Sequence, residues 1–356
     1  MAPTFVPGLQ LCRDFYEQGV RPLLGSVPHA AARIGPGSEV LGFDTARSAD
    51  HDWGPRLDLF VDPATVDPAA LSALLSERLP REIHGWPTSF EPPEGRIRVM
   101  AATTTGPVHH RVVITDVATW SREHLGFDAR SAVTDTDWLA TPTQRLAEAT
   151  AGAVYHDDLG ELTALRTNLA WYPEPLWKRI LAAQWIRIAQ EEAFVGRAAE
   201  MDDDLGSRIT AARLSRDVMR LCLLLARRYP PYTKWLGTAF AALPDSAPIG
   251  DALAEALAAT DAQDRQSALC DAYEAVGAWQ NRLRLTYPVN ASRRPYFDRP
   301  FPVIDAARFA EALAPGVSRV GAIDQFVDNT DVLVQPGLTR GLAAAVYPVP
   351  GRDPAA

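Results

Sequence analysis

At Thr141 the spacing of apolar residues changes, and that change constrains the fold more than any other feature of the sequence. Before it, short runs alternate apolar and polar residues, the pattern of half-buried strands. After it, apolar residues recur every three or four positions, the pattern of amphipathic helices. A chain of 356 residues with such a break reads as two main parts. The expected division is a mixed α and β domain over 1–140, a helical domain over 141–290, and a Pro- and Gly-rich segment over 291–356 that wraps the helical domain.

Within the first part, Gly8 to Leu24 has helical spacing, and Ala30 to Ile34 reads as a short strand running into a turn. Arg56 to Val61 alternates and reads as a second strand. Asp67 before Pro68 marks a helix start, and the helix runs to Leu79. Arg96 to Met100 and Arg111 to Thr115 are further strands, the latter leading into a helix from Val117 that Gly126 ends. In the second part, Leu176–Ala199, Arg208–Arg228, Ser267–Leu283 and Ala306–Leu313 read as helices. The aromatics Trp171, Tyr172, Trp177 and Trp185 are expected to pack between them.

Composition narrows the function. The net charge is −9, which argues against a sequence-nonspecific nucleic-acid binder. No apolar run reaches the roughly 18 residues of a membrane span, and the start of the chain lacks the layout of a signal peptide, so a cytoplasmic location is expected. Cys12, Cys222 and Cys270 have neither disulfide nor zinc spacing and read as small buried hydrophobes. Arginine greatly outnumbers lysine, as in a GC-rich genome, and only Lys178 and Lys234 are lysines.

One segment carries chemistry. Ile34-Gly35-Pro36-Gly37-Ser38 is followed, after eleven residues, by Asp50-His51-Asp52-Trp53. Such Asp-x-Asp pairs also occur in surface loops, where they cap and turn the chain. Here the pair follows a strand and a Gly-Ser turn and precedes another strand. If Asp50 and Asp52 open that strand, alternation points them to one face, where they converge on one Mg²⁺. Gly37 lets the backbone approach a phosphate, and Ser38 and the turn N–H groups hydrogen-bond its oxygens. A metal so placed bridges a nucleoside triphosphate.

These residues resemble the nucleotidyltransferase superfamily, and the chain more closely resembles the bacterial DUF4037 family within it. The stretches that carry the resemblance are 34–56 (IGPGSEVLGFDTARSADHDWGPR), 125–128, 184–197 (QWIRIAQEEAFVGR), 204–213 (DLGSRITAAR), 231–240 (PYTKWLGTAF) and 321–331 (GAIDQFVDNTD). The resemblance implies an α+β fold: an N-terminal nucleotidyltransferase-like mixed β-sheet with flanking helices, followed by a mainly helical domain. It also implies a third carboxylate on a later strand, near Val113, where this chain has Val112-Val113-Ile114. Asp116 is the nearest replacement, although its odd spacing turns it to the other face of a regular strand. Asp58 is a second one, farther along its strand.

Other candidates follow. His51 is expected to turn away from the metal and pack beneath it, and Trp53 to brace the turn. His109 and His110 read as an exposed strand entrance. In the helical part, Arg197 and Lys234 are candidates to hold phosphate. Lys234 could equally lie along Trp235. Glu191 and Glu192 could pair with Arg197 or act as a general base. Asp324 and Asp328 could cap a short helix or cover the cleft. The function expected is transfer of a nucleotidyl group, with Mg²⁺ or Mn²⁺, from a nucleoside triphosphate to a small-molecule or protein hydroxyl. The competing expectation is an inactive nucleotide-binding or interaction protein on the same fold. No polynucleotide or membrane partner is expected.

Overall fold

The computed structural model of the chain describes residues 3–91, 98–316 and 320–347. The chain divides into two compact units, one of Met1–Asp137 with Arg145–Ala170 and one of Trp138–Gln144 with Trp171–Ala356.

The first unit is built on a four-stranded mixed sheet. Its strands are β1 (Ala30–Arg33), β2 (Arg56–Phe60), β3 (Arg111–Thr115) and β4 (Ala153–Asp157). Their order is β3-β2-β1-β4, with β2 and β3 parallel and the other pairs antiparallel. The register sets Ala32 opposite Asp58, and Asp58 opposite Val113. β2 splits its residues between two faces. Leu57 and Leu59 join Ala31 in a core with Leu11, Phe15, Val20, Leu71 and Leu75. Arg56, Asp58 and Phe60 take the other face, where Phe60 meets Trp120 of the Val117–Leu125 helix edge to face.

Most of the expected elements of this unit are present. The first helix runs from Gly8 through a π-helical turn at Tyr16–Val20 to Leu24. Asp67 caps the Pro68–Arg78 helix by accepting from Ala69 N, and Gly126, at φ 87°, ends the Val117–Leu125 helix in the left-handed conformation. The expected strand at Arg96–Met100 lies partly outside the described residues. Phe90 and Met100 form an isolated bridge there. β4 was hidden by the helical periodicity around it. Its five residues find their partner in β1, more than a hundred positions earlier, which no local pattern records.

The second unit is helical. Glu174–Glu191, Asp204–Leu225 and Ala262–Arg282 are its long helices, and Ala307–Leu313 packs with them. Tyr172, Trp177 and Trp185 are buried, as the spacing required. Trp185 stacks on Phe309 at 4.4 Å and donates to Gln280 Oε1 at 2.6 Å. All three cysteines are buried thiols, and burial foremost pushes Cys12 up to about 12. No helix among the described residues is long and apolar enough to cross a membrane.

Candidate functional site

The turn after β1 is held from behind by charge. Arg33, the last residue of β1, folds back under residues 34–39. It donates to Ile34 O, to Pro36 O at 2.5 Å, to Glu39 Oε1 at 2.7 Å and to Asp58 Oδ2 at 3.2 Å. Arg56, the first residue of β2, also donates to Glu39 Oε1. All four side chains are buried: Arg33 is 5%, Glu39 2%, Arg56 6% and Asp58 7% exposed. Buried charges persist only when paired, and here each cation touches an anion. Burial works against the Glu39 carboxylate, but the two guanidiniums overcome it and hold its pKa below the usual range. Burial raises that of Asp58 despite Arg33. A Cβ added at Gly37 would lie 2.6 Å from a Glu39 oxygen and 2.7 Å from Arg33 Nη2, so glycine lets the turn rest on this network.

Asp50 and Asp52 do not open a strand. Asp50 ends a 3-10 turn over Ala46–Asp50, and Asp52 has φ 46°. Asp tolerates that left-handed conformation, but it destroys the alternation that was to place both carboxylates on one face. Asp50 Oδ1 contacts His51 Nδ1 at 2.8 Å, and Asp52 Oδ1 accepts from Arg111 Nη1 at 2.7 Å. Both carboxylates reach solvent, their side chains being 57% and 38% exposed. His51 is exposed beside Asp50 rather than packed below it. Trp53 does brace the loop. It is buried between Phe5 and Trp86 and donates to Asp44 Oδ2 at 3.0 Å.

Asp58 and Asp116, the two candidates for a third carboxylate, each have partners in the structure. Val113 is opposite Asp58 in the parallel pair, so a carboxylate at 113 would lie beside it. Asp58 itself is engaged by Arg33 and by Ile34 N at 3.2 Å. Asp116 lies one residue past β3 and caps the Val117–Leu125 helix, accepting from Thr119 N at 2.8 Å. Burial acts against its charge, but the hydrogen bonds from Thr119 outweigh that and lower its pKa. Asp116→Ala is therefore expected to cost about 1 kcal/mol of stability in urea unfolding. Among the described residues, one group of three His, Cys, Asp or Glu has ligand atoms all within 4.8 Å of one another. It is His29, His156 and Asp158, and it includes none of Asp50, Asp52 and Asp116.

The remaining candidates have local partners. His110 accepts from Val112 N at 3.2 Å through Nδ1, leaving Nε2 to donate to Ser72 O at 3.1 Å, so it anchors the start of β3. Lys234 lies over the Trp235 ring at 4.8 Å, and Arg197 lies beside Phe194 at 5.7 Å. Both belong to the second unit. Glu191 pairs with Arg213, not Arg197. Glu192 is buried and accepts from Ile304, Asp305 and Ala306 N–H at 2.9, 3.1 and 2.9 Å. Asp324 accepts from Thr143 and, at 2.8 Å, from Arg220.

Arg33, Glu39 and Arg56 were not singled out from the sequence. Their signal is Arg33 ending an otherwise apolar Ala-Ala-Ala strand and Glu39 following the Gly-Ser pair. Their pairing joins positions 6 and 17 apart, which only folding brings together.

The first unit thus has a mixed sheet with a buried Arg–Glu–Arg–Asp network under a Gly-Ser turn, and the second unit is helical. Residues 138–236 match the family described as a domain of unknown function, DUF4037. Over that segment the resemblance read from the sequence is borne out. No curated protein matches the chain. Among solved structures, a nucleotidyltransferase-like protein from Exiguobacterium sibiricum 255-15 is similar at 14% identity. The match covers 77% of each chain, with a TM-score of 0.32.

Proposed function

We propose that the first unit binds a nucleoside triphosphate together with Mg²⁺ or Mn²⁺, as a nucleotidyltransferase-like protein that retains the binding half of that chemistry. Gly37 and Ser38 contact phosphate through the turn, and Asp50 and Asp52 hold the metal. The donor set fits a hard cation: two carboxylates reach solvent, and each uses one oxygen in its contact with His51 or Arg111. The metal, when bound, neutralises phosphate charge. The protein's part is to fix the turn and orient the carboxylates. Arg111 offers Asp52 a cationic partner before the metal arrives.

One observation favours binding over transfer. Val113 occupies the place beside Asp58 where a further carboxylate would act, and Asp58 and Asp116 are engaged elsewhere. The superfamily resemblance places such a group in a two-metal transfer site. Transfer to a small-molecule or protein hydroxyl is the second reading, favoured by the solvent-facing Asp50 and Asp52.

Calorimetry with nucleoside triphosphates and Mg²⁺ tests both. The expected result is metal-dependent binding to the native chain, weakened about tenfold or more, roughly 1.4 kcal/mol, in Asp50→Ala/Asp52→Ala. No pyrophosphate should appear over hours with an acceptor mixture. Equal binding by both proteins sinks the site. Pyrophosphate release that the double variant abolishes replaces the binding reading with transfer.

A further inference from the structure

The far end of β1 carries a second cluster. His29 immediately precedes β1, at the end away from Gly37. β4 runs antiparallel to β1 with His156 opposite Ala31, so the end of β4 brings His156 and Asp158 beside His29. Asp158 N donates to His29 O at 3.1 Å, which ties the two segments together. One ligand atom from each of the three side chains lies within 4.8 Å of the other two.

The hydrogen bonds fix how His29 faces the cluster. Its Nδ1 lies 2.7 Å from Val27 O. A carbonyl only accepts, so Nδ1 carries the hydrogen and Nε2 of the neutral ring holds the lone pair. An imidazole anchored through one nitrogen to a carbonyl, with the other directed at the metal, is the usual arrangement of a histidine ligand. The Tyr16 hydroxyl is 2.9 Å from that Nε2. The His29 and His156 ring centroids are 4.5 Å apart. His29 is buried, whereas His156 and Asp158 have side chains 27% and 51% exposed. The cluster therefore has a rigid floor and an open side through which an ion enters.

We propose that His29, His156 and Asp158 bind one divalent transition-metal ion of the Zn²⁺ type, with the Tyr16 hydroxyl or a water in the fourth position. Two imidazole nitrogens and one carboxylate oxygen suit Zn²⁺, whereas Mg²⁺ and Ca²⁺ take all-oxygen shells. Bonds of about 2.0–2.2 Å require the three groups to draw closer, and the exposed Asp158, now 2.7 Å from His156 Nε2, has the freedom to turn onto the ion. The ion clips the outer strand β4 to β1. It shares no residue with the Gly37–Asp52 loop.

The test uses the full chain without a polyhistidine tag, stripped by a chelator and titrated with Zn²⁺ in the calorimeter. Co²⁺ absorption serves as the probe of tetrahedral nitrogen and oxygen ligation. One equivalent is expected to bind. Asp158→Asn and His156→Gln, both at solvent-reaching positions, should each weaken it by about tenfold or more while keeping the native circular dichroism. With excess Mg²⁺ present to occupy oxygen-only sites, Asp50→Ala/Asp52→Ala should leave the tight Zn²⁺ equivalent unchanged, which separates this site from the proposed triphosphate site. Zn²⁺ should raise the thermal midpoint of the native chain more than that of Asp158→Asn. Absence of stoichiometric binding overturns the proposal. So does equal binding by the native chain and both variants, or loss confined to Asp50→Ala/Asp52→Ala.

Discussion

Glu39→Ala is expected to lower the unfolding free energy by about 3–5 kcal/mol, the usual cost of removing one partner of a buried ion pair. Glu39 stands between two guanidiniums, Arg33 at 2.7 Å and Arg56 closer still. Without it, Arg33 keeps Asp58, but Arg56 loses the one anion it contacts in this network. Burial and the nearby charge of Arg33 already push Arg56 down to about 10. Losing Glu39 pushes it further, because the remaining neighbour repels it. Urea unfolding should show a lower midpoint with an unchanged slope, since little surface is altered. Glu39→Gln keeps an acceptor and should cost less. A loss below about 1 kcal/mol in the alanine variant, the range of an exposed pair, would show that the network is well solvated.

Glu192→Ala should be comparably costly, at about 3–5 kcal/mol, because it strands three backbone N–H groups at Ile304, Asp305 and Ala306. The same residue gives the stability a pH dependence. Burial pushes Glu192 up to about 7, and the three N–H donors pull it down without prevailing. Its ordinary value is 4.5. Between those values the folded chain holds a proton that the unfolded chain has released. Stability from this group is therefore complete below pH 4.5 and declines as pH rises through 7. The difference across that window is about 3 kcal/mol at most, at roughly 1.4 kcal/mol per unit. Unfolding at several pH values, native chain against Glu192→Gln, isolates the effect from other carboxylates. The advantage of the native chain should shrink as pH rises. A difference that stays level from pH 4.5 to pH 7 would falsify the assignment.

Elements whose cause is local were legible in the sequence. β2 shows its two faces by alternation, the helices at Pro68 and Val117 show their caps, and the long helices of the second unit show their apolar stripes. Elements whose cause is remote were not. Asp50 and Asp52 read as the start of β2, yet the strand begins only at Arg56, and a 3-10 turn with a left-handed Asp52 precedes it. Alternation along β2 sets Arg56 and Asp58 on one face but does not say what covers that face. Both residues are buried because Glu39 and Arg33, far away in the chain, pair with them. Of the proposed site, the Gly-Ser turn and the two carboxylates are visible in the sequence. The network that supports the turn, and the capping duty of Asp116, are not, since both depend on which strands become neighbours.

The chain leaves the first unit at residue 137, returns at 145 and leaves again at 170. The ribosome therefore delivers β4 only after a piece of the second unit has emerged. Until residue 157 is out, the sheet is one strand short and β1 presents an unpaired edge. A translation product that stops near 140 would carry Gly37, Asp50 and Asp52, but with an edge open to other chains. Between making its loop and closing its sheet, the nascent protein thus carries an edge on which another chain can pair.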